Sequence, residues 1–508
     1  MSIAGRDATD QSGSRIAGVV ERLTRAAQAF VAETAEGTIV FLVLAAFVVL
    51  WMIFWSISTA PLDANIDSGE ASVWAQHFAF GYKHPPMTAW LFKVWFALFP
   101  RQRWAMDLLT VTTCACGLAV AWRLLRDHLD KNRALLGLVA LILVPLYDIK
   151  AEVLNANTVM IPFWAATLLF YLRARRGLGV LDAFLAGAFA SLTLLGKYWA
   201  VFLFAGMAVA AFVGPGTRRF WRSPAPYVMA AGAIIVIAPH VWWLVSEHGG
   251  GAIQFAASVA TGAPFGETLM KTISYVVGAV MYIAVPLAFF AALRPSRAAL
   301  ADTAWPSDEI RRQAVVLLLV PLVLPALLNL IIPYRLTPDW TFPDWALLPL
   351  VLYSSPLIAV DSRAMARAGL VGLALVLAVI IASPAIAYVR FKGSHDRDRM
   401  YSRQIAEMAE GLAGQPITRI WGSPAIVAGL PFYLPQAKPY AGTSAGSVLI
   451  VCLSDDLPCQ KGAAAFAHGR GRTVTATFAR HFLGLSGRPE TFQLTVLPQA
   501  PSSGSDRP

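Results

Sequence analysis

Charge is what this sequence has least of. Asp, Glu, Lys and Arg make up only 14% of its 508 residues, against 57% hydrophobic ones. Soluble globular chains do not show that balance, so most of this one is dissolved in lipid. Acids are scarcer than bases, 30 against 41, which leaves a net charge of +11. In a soluble protein such a surplus points to nucleic acid. Here, arginines in loops on one side of a membrane account for it, and no nucleic-acid partner is expected. Cysteine is nearly absent, with four residues in all. Cys114 and Cys116 fall in an apolar run and read as small packing residues, whereas Cys452 and Cys459 can pair if their region lies outside the cytoplasm. No second Cys/His pair follows at zinc spacing. There is no glycine-rich nucleotide loop, and no internal repeat of the kind that marks transporters built from inverted halves.

What the sequence does have is apolar runs. Those near 38–58, 105–125, 134–148, 157–172, 181–195, 198–213, 227–245, 272–293, 313–332, 345–360 and 369–389 predict a polytopic α-helical membrane protein of about eleven transmembrane helices. Basic residues fall on alternate connections: Arg22 and Arg25, the stretches 123–133, 173–176, 218–222 and 294–312, then Arg363 and Arg367. That pattern places the N-terminus in the cytoplasm and, after an odd number of crossings, the C-terminus in the periplasm. Residues 1–14 are polar and read as disordered. Apolar residues at helical spacing from Ile16 to Phe30, with Arg15, Arg22 and Arg25 between them, read as an amphipathic helix on the cytoplasmic face. The expected organisation is therefore a cytoplasmic segment (1–37), a transmembrane domain (38–390), a small periplasmic α/β domain (391–500) and a disordered tail (501–508). In the α/β domain a helix at 400–412 and short β-type runs at 417–421, 447–453, 473–478 and 492–497 alternate with Gly/Pro turns.

With this orientation, several polar residues sit on the outer side, where the positive-inside rule does not explain them. Directly after the first span come Asp67 and Glu70, one helical turn apart, and then Tyr82, Lys83 and His84 ahead of the rigid Pro85-Pro86 pair. Asp67 followed by an acid three residues on is also a common helix start. The second outer stretch holds Asp148, Glu152, Asn155 and Asn157, for which helix capping is the plain alternative. Lys197 and Tyr198 interrupt two apolar runs. His240 stands among tryptophans, and Arg335 follows Pro333 at a span end. Snorkelling and interfacial anchoring are the structural readings of these last residues. The functional reading is a set of cations facing a phosphate, for which the planar fork of arginine is well suited.

The motifs Glu-Ala-x-x-Trp (from Glu70) and Gly-Tyr-x-His-Pro-Pro-Met-x-Ala-Trp-Leu (from Gly81) resemble the first outer loop of the GT-C glycosyltransferases of family 39. That family includes the protein O-mannosyltransferases and bacterial enzymes that move sugars from polyprenyl phosphate carriers onto lipid A or lipopolysaccharide core. The resemblance implies a catalytic acid in this loop, usually within Asp-Glu-Ala, and inversion at the anomeric carbon. Here Gly69 precedes Glu70, and the nearest aspartate is Asp67, so the base is one of these two. Lys83, His84, Lys197 and Arg335 become candidates for the donor phosphate, and Tyr82, Asp148, Asn157, Tyr198 and His240 for substrate. The chemistry requires no cofactor and is compatible with a divalent cation, although no His/Asp/Glu spacing marks a metal site. The implied partners are a polyprenyl-phosphate-linked sugar and an envelope lipid or glycan acceptor. A transporter or flippase, which would carry its charges deep within the spans, and a non-catalytic membrane subunit of the same fold are the alternative classes.

Overall fold

The computed structural model describes residues 4–246, 250–393, 401–440 and 446–498. Two helices open the chain, α1 (Ala4–Glu33) and α2 (Glu36–Ser58). The first outer loop follows with α3 (Ile66–Trp74) and α4 (Met87–Leu98). Next come α5 (Arg103–Arg126), α6 (Lys131–Ile142), α7 (Ala156–Gly177), α8 (Val180–Gly196), α9 (Val201–Ala210), α10 (Thr217–Arg222) and α11 (Ala225–Val245). The helical part is completed by α12 (Gly250–Ala257), α13 (Phe265–Tyr282), α14 (Ala284–Ala292), α15 (Arg297–Ala304), α16 (Glu309–Ile331), α17 (Leu348–Tyr353) and α18 (Ser362–Lys392).

This differs from eleven uninterrupted crossings. Among the described residues five helices are long and apolar enough to cross a membrane, namely α2, α5, α11, α16 and α18. The pair α13 and α14, bent by 52° at its break, makes a sixth. The run expected at 134–148 is cut short by its own sequence, since α6 stops at Ile142, ahead of Pro145, whereas α8 ends at Gly196, before an extended Lys197, in line with the run expected at 181–195. The N-terminal segment also departs from expectation, because α1 already begins at Ala4 instead of leaving residues 1–14 without structure. The tail expected at 501–508 lies outside the described residues.

Small residues let the central helices approach closely, as they do where lipid supplies no hydrophobic drive for helix pairing. A Cβ on Gly187 of α8 would stand 1.8 Å from the Met229 carbonyl oxygen of α11, and one on Gly232 of α11 would stand 2.4 Å from the Phe184 carbonyl oxygen of α8. Helices α5 and α7 extend this layer around a core that holds Trp51, Trp55, Trp164 and Tyr171, all fully buried.

Beyond α18 the chain folds into α19 (Ser402–Ala413), β1 (Arg419–Gly422), α20 (Pro424–Val427), α21 (Leu430–Tyr433), β2 (Lys438–Pro439), β3 (Val448–Leu453), α22 (Leu457–Ala467), β4 (Arg472–Phe478), the short hairpin β5 (His481–Phe482) and β6 (Leu485–Ser486), and β7 (Glu490–Leu497). Five strands form one sheet in the order β2-β1-β3-β7-β4, parallel from β2 to β3 and antiparallel thereafter. Helix α19 buries Ile405 and Ala409 in the same core as Leu449, Val451, Phe492 and Leu494 of the sheet. Cys452 and Cys459 form a disulfide, with Cα atoms 5.6 Å apart.

The sheet domain is not a free appendage. Its α21 packs on α3, and the Tyr433 hydroxyl reaches Asp63 at 3.4 Å and the Ala64 amide at 3.3 Å. At Gly69 the fit leaves no room, since a Cβ there would lie 1.8 Å from the Ala428 carbonyl oxygen. The glycine that stands where the family pattern has an aspartate is thus the residue on which the C-terminal domain sits.

Candidate active site

Helix α3 starts at Asn65, whose side chain accepts from the Ser68 amide at 2.9 Å. Asp67 is therefore not the cap. It lies in the first turn and, like Glu70 one turn later, is only partly covered. Glu70 Oε1 stands 2.8 Å from Lys83 Nζ, and side-chain exposures of 31% and 41% leave the pair open to a ligand. Asp67 Oδ2 accepts from Asn155 Nδ2 at 3.3 Å. Asn155 also closes a capping box at the start of α7, its side-chain Oδ1 accepting from the amides of Asn157 and Thr158. Two residues on, Asn157 Oδ1 accepts from Lys197 Nζ at 2.7 Å.

Lys197 occupies the break between α8 and α9, with its ammonium 4.1 Å from the centre of the Trp340 ring. Burial lowers its pKa to about 7, the nearby Arg335 adds to that, and Asp67 and Asp339 oppose it. Asp339 is held by the Tyr282 hydroxyl and by Lys150 at 3.5 Å. Arg335 is exposed, and its amide bonds the Val259 carbonyl at 2.9 Å. Asp67, Glu70, Lys83, Asn157 and Lys197 thus belong to one cluster assembled from three separate parts of the chain, and Arg335 lies near enough to Lys197 to act on its charge.

Other expected site residues have different places. His84 packs edge-on against Trp74 and Phe255, with ring centres 5.6 and 4.6 Å away. Burial, aided by Lys83 and Lys197, depresses its pKa to about 4. It is therefore a neutral ring at physiological pH, and the expected cationic role is corrected to that of a neutral donor or packing group. The Tyr82 hydroxyl is committed inside the loop, donating to the His77 carbonyl and accepting from the Ala79 amide at 3.2 Å, and its ring stacks on Trp74. Asp148 is only 4% exposed and caps the short 3-10 turn that follows it, accepting from the Ile149 amide. It has withdrawn from the outer surface.

His240 is buried and uses both ring nitrogens within the protein. Nδ1 lies 2.6 Å from the Phe80 carbonyl, which can only accept, so Nδ1 carries the proton. Nε2 then accepts from the Tyr198 hydroxyl at 3.0 Å. Tyr198 and His240 tie α9 and α11 to the first loop and position it. Sequence reasoning missed Trp340 and Phe255, the aromatic faces under Lys197 and Lys83. Position supplied the only signal, because each lies beside charged or irregular outer segments.

Residues 83–243 match the family model described as dolichyl-phosphate-mannose-protein mannosyltransferase. The crystal structure of ArnT from Cupriavidus metallidurans bound to undecaprenyl phosphate superposes with a TM-score of 0.58 over 91% of this chain and 98% of that one, at 13% identity. Its apo form gives the same score at 14% identity. The chain has the fold of ArnT. A curated relative, the lipid A galacturonosyltransferase RgtD of Rhizobium johnstonii, is 24% identical over 313 residues, 59% of this chain. The match spans 61% of that relative's length. The chain is thus similar to a mannosyltransferase family model, to a lipid A galacturonosyltransferase and to the ArnT fold, and its apolar helices make it a multi-pass membrane protein.

Proposed function

We propose that this ArnT-fold chain moves a sugar from a polyprenyl phosphate carrier to lipid A, lipopolysaccharide core or another envelope glycan at the periplasmic face of the inner membrane. The observation that carries the reading is the gathering of two carboxylates, Asp67 and Glu70, with the amines of Lys83 and Lys197 in one cluster. Such transfer needs a base for the acceptor hydroxyl and cations for the departing phosphate. Undecaprenyl phosphate in the ArnT neighbour and lipid A in the name of the curated relative support the donor and acceptor classes.

Glu70 is the base in this proposal. In the resting site its carboxylate is neutralised by Lys83. Donor phosphate competes for that ammonium and leaves Glu70 free to take the proton of the acceptor hydroxyl. The acceptor oxygen then bonds to the anomeric carbon, and the carbon–oxygen bond to phosphate breaks with its electron pair going to the phosphate. Lys83, Lys197 and Arg335 hold the developing charge. Asp67 favours the protonated form of the half-buried Lys197, and attack from the face opposite the phosphate inverts the sugar. The reading places the sheet domain in the periplasm, an orientation supported by the Cys452–Cys459 disulfide.

A protein O-mannosyltransferase-type acceptor is the second reading, favoured by the name of the matching family model. Assay of membranes containing the full chain with a radiolabelled polyprenyl-phosphate sugar tests both. Label appearing in glycolipid supports the first reading, label in protein the second, and no transfer to either removes the enzyme assignment.

A further inference from the structure

The first loop runs on past the acids to a second polar site. Gln76 Nε2 donates to the Ala437 carbonyl at 2.9 Å, and Lys438 Nζ lies 2.5 Å from His77 Nε2. Gln76, His77, Thr418, Arg419, Gln436 and Lys438 line an open cleft of about 580 Å³ between this loop and the sheet domain. That volume falls in the range of small-molecule sites, roughly 300–1,000 Å³.

The chemistry of the walls is one-sided. No carboxylate lines the cleft among the described residues. Arg419 makes no side-chain hydrogen bond to another described residue, and its Nε is shut off from solvent. Among the described residues the Lys438 ammonium meets a ring nitrogen and no carboxylate. An arginine fork and an ammonium with no counter-charge among the described residues, beside carboxamides that can bond hydroxyls, match a phosphate carried on a sugar.

We propose that this cleft, with Arg419 and Lys438 as its cations, binds a phosphate-bearing sugar of the acceptor. The inference rests on the glycosyltransferase reading above and adds to it how the acceptor is held. From Glu70 to His77 the chain covers four helical steps and three more residues, at most about 16 Å. A headgroup anchored by its phosphate in the cleft therefore has its other end within reach of the base. The sheet domain, docked on Gly69, becomes one wall of the acceptor site.

The test uses the full-length protein in detergent and equilibrium binding of glucosamine 1-phosphate, with glucosamine and inorganic phosphate as separate probes. Binding of the phosphosugar well above either probe, weakened roughly tenfold to hundredfold in Lys438→Ala and Arg419→Ala, is the expected result. Lys438→Arg should restore most of the affinity. Thermal unfolding of each variant checks that a loss does not reflect misfolding. No phosphosugar binding by the unaltered protein, binding no tighter than inorganic phosphate, or binding that survives both substitutions would overturn the proposal. These readouts need no sugar transfer, so they stand apart from a failure of the enzyme reading. Where transfer is measurable, the same variants should raise KM for a phosphorylated acceptor and leave KM for its dephosphorylated form in place. An equal rise for both acceptors would contradict the proposal.

Discussion

Lys83 Nζ sits 2.8 Å from Glu70 Oε1, thirteen positions away in the chain and on the far side of the loop turn. The pair is half-open to solvent, so its worth to stability is small. In the proposed mechanism it is a latch that donor phosphate undoes. Lys83→Met should raise KM for the polyprenyl donor tenfold or more, the scale of one charge-assisted hydrogen bond, and lower kcat as well. A donor titration in membranes reads both. Unchanged donor kinetics would remove Lys83 from the phosphate site.

In the proposed mechanism Lys197 sets the pH dependence. It must be protonated to hold phosphate, and its pKa is lowered to about 7. The donor kcat/KM, which reports the free protein, should therefore fall as pH rises through about 7. Asp67 opposes that lowering, so Asp67→Asn should move the fall to lower pH. His84, with a pKa near 4, should add no limb between pH 5 and 8. A pH–rate profile of the unaltered protein and the Asn variant checks both statements. A limb that stays in place in the variant would break the link between Asp67 and Lys197.

Gly69 is a docking residue. A side chain there meets the backbone carbonyl of Ala428 at 1.8 Å, and backbone cannot step aside cheaply. Gly69→Ala should destabilise by about 1–3 kcal/mol, as overpacking does, and loosen the sheet domain. Gly69→Asp, which restores the family's Asp-Glu-Ala, should be worse in stability and gain no activity. Thermal unfolding with limited proteolysis of the C-terminal domain gives the comparison.

The Cys452–Cys459 disulfide links chemistry to topology. If the sheet domain lies in the periplasm, these cysteines should be oxidised in intact cells and labelled by a maleimide only after reduction. Cys116, exposed but within α5, is the internal control for labelling in detergent. Cysteines 452 and 459 found reduced in cells would place the domain on the cytoplasmic side and reverse the orientation.

The first-loop cluster was legible because its acids, lysine and proline pair lie within twenty residues of one another, directly after a long apolar run. Lys197 and Arg335 stood out because they are cations on the outer side, where the positive-inside rule does not explain them. The links between them were not legible. Nothing local says that Asn155 reaches Asp67 or that Lys197 lies on Trp340, since these contacts join segments far apart in sequence. The neutral state of His84 depends on Phe255 and Lys197, which no spacing connects to it. In the sheet domain, alternation revealed strands near 417–421, 447–453, 473–478 and 492–497, but docking on α3 depends on shape at Gly69 and Ala428. Hydropathy did not show where turn chemistry shortens a helix, as at α6, which stops at Ile142 ahead of Pro145 although the apolar run continues to 148.

The most direct test of the account is sugar transfer from a polyprenyl-phosphate sugar by membranes containing Glu70→Gln, measured beside Asp67→Asn. With Glu70 as the base, the Gln variant should lose about 10²–10⁴-fold in kcat and still bind donor, while the Asn variant should keep measurable turnover at low pH. Full transfer by Glu70→Gln would contradict the assignment of the base, and full transfer by both variants would remove this loop from the chemistry.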